Sequence, residues 1–185
     1  PDGSTIPVDM MGWNGNAELD YFENELFQAV DLPYGDRTFS MTLLLPKNEV
    51  GIEGVVAQLN EENWDVWINS FVNQEMYYRM PKFKLEYKKE LKGILYAMGV
   101  EDLFTGKADL SKIGPGGLVV SKVLHKSFLE VNEQGSEAAA VTVVGIENTS
   151  VPSVPYMILD RPFLLFIREN VTNSVLFMGQ IQDPC

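Results

Sequence analysis

Almost nothing in this sequence could serve as a catalytic centre. Its 185 residues include one histidine, His125, and one cysteine, the terminal Cys185. No disulfide can form within the chain, which fits a reducing compartment or a secreted protein large enough to need no bridge. One imidazole and one distant thiol assemble no metal cluster, so no metal is expected. There is no Gly-x-Ser-x-Gly elbow. "TGKAD" at Thr105–Asp109 lacks both the upstream glycine and the hydroxyl residue after lysine that a phosphate loop requires, and "GPGG" at Gly114–Gly117 lacks dinucleotide spacing. The chain is therefore not expected to be an enzyme, and no cofactor is expected. Positive charge is also scarce. The net charge is −12 with no Lys/Arg cluster, which argues against nucleic acid or an anionic membrane as partner. No apolar run approaches the roughly 20 residues of a membrane-spanning helix. "PDGSTIPVDMMGW" carries neither an initiating methionine nor an apolar signal core, so the chain is expected to begin within a longer protein.

What is present is globular: 45% hydrophobic residues, with 15 glycines and 10 prolines, at a length suited to one ordinary domain. The first third reads as strands at Leu19–Phe22, Phe27–Leu32 and Phe39–Leu45, with "PYGDR" at Pro33–Arg37 as the turn of a hairpin. A short helix is predicted over Ile52–Leu59. Asn60 then suits an N-cap, with Glu61 and Glu62 in the first turn of a second helix. Trp64 and Trp67 share one face of that helix, as core-packing residues do.

Alternation resumes on either side of Pro81, with Met76, Tyr78 and Met80 on one face before it and Phe83, Leu85 and Tyr87 after it. Pro81 thus separates two strands or bends one. Leu91, Ile94, Leu95 and Met98 switch to the helical period, and Gly99 ends it. "DLFTGKADLSKIGPGG" reads as a loop. "LVVSKVLHKSFLEVNE" reads as a long strand whose odd residues, Val123, His125, Ser127, Leu129 and Val131, face the interior. Two apolar strands, "FLLFIREN" and "SVLFMGQIQ", joined near Asn170–Asn173, close the chain.

"NEQGSEAAAVTVVG" at Asn132–Gly145 fits none of these elements. If it formed a strand, Ser136, Ala138, Ala140, Thr142 and Val144 would share a face with no charge and no large side chain. Glu137, Ala139, Val141 and Val143 would share the other. Gly135 allows a pivot before it. "ENTSVPSVP" follows, with Pro152 and Pro155 favouring extended, unpaired backbone. The segment is either a strand buried on one side that a loop can later use, or a plain surface loop between two strands.

Several stretches, taken in order, resemble the C-terminal half of the serpin family. "VDMM" at Val8–Met11 and "VDLPYGDRTFSMTLLLP" at Val30–Pro46 look like its B-sheet hairpin region. "MPKFKLEYKKELKGILYAMGVEDLFTGKADLSKI" is similar to its sixth A-sheet strand, helix and following loop. "VLHKSFLEVNEQGSEAAAVT" looks like its fifth A-sheet strand and mobile hinge. "DRPFLLFIRENVTNSVLFMGQIQDP" resembles its C-terminal signature and last two strands. The resemblance covers essentially the whole chain. It implies an α+β fold of mostly antiparallel sheets A, B and C with a few helices, of which residues 1–185 are the C-terminal part. Residues 133–156 would be a reactive centre loop, with its hinge at 133–142.

The resemblance also implies a function. A serine protease, or a cysteine protease, attacks the exposed loop as substrate. At the acyl-enzyme stage the cleaved loop enters the main sheet as an added strand and the protease is distorted, so the protein is a suicide-substrate inhibitor whose native state is held kinetically. The alternative is a non-inhibitory serpin acting as carrier or chaperone. Glu133, Gly135, Ser136, Glu137, Ala138, Ala139 and Ala140 match the inhibitory hinge, because a bulky or charged residue at Ser136, Ala138 or Ala140 would block entry into a close-packed sheet.

Family spacing from Glu133 puts the scissile bond at Thr149–Ser150. Counting back from Pro162 moves it about two residues on, giving a window of Asn148 to Val151. Thr149 favours an elastase- or subtilisin-like target, whereas Asn148 would suit a legumain-like or broad-specificity enzyme. His125 aligns with the family's buried histidine, which controls sheet opening. Lys82 matches a basic position that pairs with Glu133 at the hinge. The missing N-terminal half of the same protein, as a second chain, is the other expected partner, since this chain alone should leave its A-sheet strands uncovered. A secreted or periplasmic location is favoured.

Overall fold

In chain order the elements are β1 (Met10–Gly12), β2 (Ala17–Glu23), β3 (Phe27–Tyr34), β4 (Phe39–Pro46), α1 (Gly51–Gln58), α2 (Glu61–Ile68), β5 (Val72–Pro81), β6 (Phe83–Glu90), α3 (Lys92–Ala97), α4 (Asp102–Thr105), β7 (Leu124–Val131), β8 (Tyr156–Ile158), β9 (Phe163–Glu169) and β10 (Val175–Ile181). The computed structural model describes residues 7–12, 15–133 and 154–183. The chain divides into two units, Pro1–Phe83 with Val131–Cys185, and Lys84–Glu130. The architecture is α+β, with antiparallel pairing everywhere in the larger sheet except between β5 and β8.

The first unit is built on that eight-stranded sheet, in the order β1-β5-β2-β3-β4-β9-β10, with β8 on β5. The meander β2-β3-β4 lies where the apolar and aromatic runs and the turn signal put it. Tyr34 O accepts a hydrogen bond from Arg37 N at 2.7 Å, and Gly35 and Arg37 both take positive φ, 43° and 67°. A glycine adopts that backbone freely; arginine does so at a cost. β9 then enters beside β4, with Leu44 opposite Leu164 and Thr42 opposite Phe166. This join brings the end of the chain onto its beginning.

Period two sends Phe27 and Ala29 of β3, Leu44 of β4, and Leu164 and Phe166 of β9 to one face, where α1 and α2 cover them with Ile52, Val55, Trp64 and Trp67. Asn60 caps α2 by accepting from Asn63 N at 2.9 Å, a contact of about 1 kcal/mol. Trp67 stands edge-on to Phe27 with centroids 4.8 Å apart. Trp64 tilts against Phe166 at 4.7 Å. Such pairs add about 0.5–1.5 kcal/mol beyond the apolar area they bury. Farther along the same face sits a buried polar network. Arg168 Nη2 meets Asp31 Oδ2 at 3.0 Å and Arg168 Nε donates to Thr42 Oγ1 at 3.1 Å, while Thr42 Oγ1 donates to Asp31 Oδ1.

β5 is the strand on which the sheet changes partners. Val72–Met76 pairs with β2, and Arg79–Pro81 pairs with β1. Tyr77–Arg79 also pairs in parallel with β8. Arg79 faces both Gly12 and Ile158. A strand residue has one ladder neighbour on each side, so β1 and β8 flank β5 on opposite edges. Met76, Tyr78 and Met80 are all buried, as the alternation predicts.

In the second unit β6 and β7 form a two-stranded sheet. Three sequence readings are corrected there. The stretch read as loop contains the short helix α4, closed by Gly106 at φ 80°; its four residues fall below what periodicity detects. The strand expected from Leu118 begins only at Leu124, after Gly116 and Gly117 take positive φ of 76° and 31°. His125, expected to be buried, is exposed. The odd face is otherwise the better covered one: Ser127 and Leu129 are half-buried and Val131 is buried. A two-stranded ribbon has no layer of its own to bury a face, so alternation chose the side of His125 but not its burial.

Candidate functional site: the two anchors of residues 134–153

The sequence singles out the segment after β7, and the structure describes the contacts of the residues that flank it, Glu133 and Val154–Leu159. The upstream anchor starts at Pro81. Proline ends β5, and Lys82 follows in the break before β6. Lys82 N donates to Asp9 O at 2.8 Å, which fixes the backbone of that break. Its side chain then reaches Glu133, the last described residue after β7, with Nζ 2.6 Å from Oε1. The hydrogen bond from Lys82 holds the Glu133 carboxyl below the usual carboxylate range. The same bond raises the Lys82 ammonium above the usual lysine range. Both ends of the pair are partly open to solvent, so it orients more than it stabilises.

The downstream anchor is β8. Pro155 O accepts from Tyr77 N at 2.9 Å and Leu159 N donates to Arg79 O at 2.9 Å. Met157 and Leu159 are 0% and 2% exposed. Gln28 Nε2 donates to the Tyr156 carbonyl at 2.9 Å from β3, 128 residues away in sequence. The two anchors therefore sit at Lys82 and Tyr77, five residues apart and roughly 16 Å along one strand direction.

The structure thus brings together Lys82 and Glu133, but it leaves His125 on the exposed ribbon of the other unit. Gly135, Ser136, Glu137, Ala138, Ala139 and Ala140 of the hinge, and Asn148, Thr149, Ser150 and Val151 of the reactive window, lie outside the described residues. Gln28 and β8 escaped the sequence reading. The signal for β8 was present in "YMIL", a β-forming run after Pro155, but it is only three residues long. Nothing in the sequence marks Gln28, whose partner is fixed by tertiary pairing alone.

Among the described residues no group of three or more His, Cys, Asp or Glu is placed to hold a metal ion. No described helix is long and apolar enough to cross a membrane.

The family model for Serpin (serine protease inhibitor) matches residues 1–184. Serpin B11 of Homo sapiens is 38% identical over 187 residues, 99% of this chain and 48% of that protein. Serine protease inhibitor 42Dd of Drosophila melanogaster is 37% identical, over 97% of this chain and 47% of that protein. Among solved structures, the thermophilic serpin Tengpin in its native state superposes with a TM-score of 0.72 at 32% identity, over 95% of this chain and 46% of that one. Thyroxine-binding globulin in complex with thyroxine gives 0.81 at 27% identity, over all of this chain and 48% of that one. The chain spans about half the length of the curated relatives it matches. With several motifs in family order, the α+β architecture and these matches in agreement, the chain belongs to the serpin family of serine protease inhibitors.

Proposed function

We propose that residues 133–156 carry the reactive loop of a protease inhibitor, ending on the first residue of β8, and that the protein acts as a suicide substrate rather than as an enzyme. The observation that carries this reading is a pair of anchors at and just after β5: Lys82 with Glu133 on one side, and Tyr77 with Pro155 on the other. They tether both ends of a segment whose Ser136, Ala138 and Ala140 present only small side chains on one face. In this reading a protease serine attacks the Thr149 carbonyl, the Ser150 amine leaves, and the acylated loop enters the sheet along β7. β7 is paired with β6 alone among the described residues. The receiving sheet is completed by the part of the serpin fold that this chain does not span, supplied by the same protein. The target has a shallow specificity pocket, elastase- or subtilisin-like, and is met outside the cytoplasm.

A second reading, a carrier or chaperone serpin, draws on the likeness to thyroxine-binding globulin, whose structure is a complex with thyroxine. The hinge composition favours inhibition over it, because a carrier has no need of an insertable face.

The deciding experiment mixes the full-length protein with elastase- and subtilisin-type proteases and resolves the products on a denaturing gel. The expected result is an SDS-stable covalent band, with cleavage between Asn148 and Val151. Clean cleavage with no complex and no gain in heat stability would overturn the inhibitory reading.

A further inference from the structure

We infer that Gln28 is a positioning residue for the downstream foot of the loop, holding the end of β8 nearest the loop on the sheet through a one-way run of hydrogen bonds. The importance of that foot rests on the loop reading above; the geometry does not.

The run crosses three strands. Lys47 Nζ lies 3.1 Å from Glu23 Oε1. The Tyr21 hydroxyl donates to Glu23 Oε2 at 2.8 Å. Gln28 Nε2 donates to the Tyr21 oxygen at 2.9 Å and to the Tyr156 carbonyl at 2.9 Å. Every direction is forced. A carboxylate and a peptide carbonyl only accept, so the Tyr21 hydrogen must go to Glu23 and both hydrogens of the Gln28 amide are spent, one at each end. Burial, reinforced by the bond to Glu23, raises the Tyr21 phenol well above its ordinary range, so it stays a donor at any physiological pH. These side chains line an open cleft of about 440 Å3, which Val154 and Pro155 close on the loop side.

The run ends where β8 is weakest. β8 has three residues and one hydrogen-bonded neighbour, β5, in parallel pairing. Parallel pairs are slightly the weaker kind, and the ends of short strands open first. Met157 in the middle of β8 and Leu159 just beyond it are buried, at 0% and 2% exposure, whereas Tyr156, its first residue, is 67% exposed. At the near end Val154 and Pro155 are only half-buried, and there the Gln28 amide meets the backbone. β8 is thus pinned by packing at one end and by a polar clamp at the end that adjoins the loop.

The test compares the full-length protein with its Gln28→Ala and Gln28→Glu variants. Glutamate keeps the shape of the side chain but, when ionised, cannot donate. The readout is hydrogen exchange at the Tyr77 and Leu159 amides, whose bonds break when β8 leaves β5, alongside amides of β4 and β9. Losing one such bond should speed exchange at Tyr77, the reporter of the near end, by about three- to tenfold in both variants, with Leu159 less affected and β4 and β9 unchanged. Unchanged exchange at Tyr77 would overturn the inference. So would equal acceleration across β4 and β9, which would make Gln28 an ordinary structural residue. The denaturing-gel assay is run on the same samples. If the unmutated protein forms no complex, the inhibitory reading fails while the exchange data still decide the anchoring.

Discussion

Lys82 Nζ and Glu133 Oε1 lie 2.6 Å apart, joining the break after β5 to the first hinge residue of the proposed loop. The pair has a defined pH window. Glu133 titrates below its unfolded value, so its share of the stabilisation is complete above about pH 5 and is lost as pH falls through the folded value. Lys82 titrates above its unfolded value, so its share is complete below about pH 10 and is lost as pH rises through the folded value. Lys82→Met should therefore speed exchange at the Asn132 and Glu133 amides by up to about fivefold at pH 7, the scale of a solvent-exposed pair. The difference should shrink between pH 5 and pH 3. An acceleration that does not change with pH would show that Lys82 acts by packing and not by charge.

The hinge makes a sharper demand. If Ala138 must enter a close-packed sheet, Ala138→Glu places a charge where no partner waits. Cleavage in the Asn148–Val151 window should continue, because the uncut loop is unaffected. The fraction of protease captured as SDS-stable complex should fall by roughly tenfold or more. The same substitution at Ala139, on the opposite face, should be milder. Equal loss at both positions would count against an inserted strand.

Arg168 and Asp31 carry the buried charge of the first unit, with side chains 8% and 7% exposed. Arg168→Ala strands a buried carboxylate and should cost about 3–5 kcal/mol. The melting temperature should fall accordingly. Replacing both residues together, Arg168→Met with Asp31→Leu, should recover much of the loss, because no lone charge remains. Calorimetry of the two variants separates these outcomes.

Trp67 packs edge-on against Phe27 under α2. Trp67→Ala should destabilise the protein by about 3–5 kcal/mol, and Trp67→Phe by clearly less, since a ring remains over Phe27. Denaturant unfolding followed by circular dichroism measures both.

The site was only partly legible in the sequence. Residue pattern alone located the small-residue segment and its bounding prolines, and the family resemblance supplied the pairing of Lys82 with Glu133. The opposite anchor was not legible, because the Gln28 side chain meets a backbone carbonyl, and every residue has one of those.

Local pattern settled the longer of this protein's elements. Aromatic and aliphatic runs at Leu19–Phe22, Phe27–Leu32 and Phe39–Leu45, with a turn signal between the last two, were enough for three strands, since both signals are local. The cap at Asn60 and the three-residue spacing of Trp64 and Trp67 fixed α2 and its buried face for the same reason. Pro81 divided β5 from β6 because it lacks a ladder donor. Tertiary structure decided the rest. The insertion of β9 beside β4, the meeting of Arg168 with Asp31 across 137 residues, and the parallel seat of β8 on β5 depend on which edges find each other in space. His125 shows the limit most plainly: alternation chose its side of β7, but burial is a property of what covers that side, and a strand's own residues do not encode its cover.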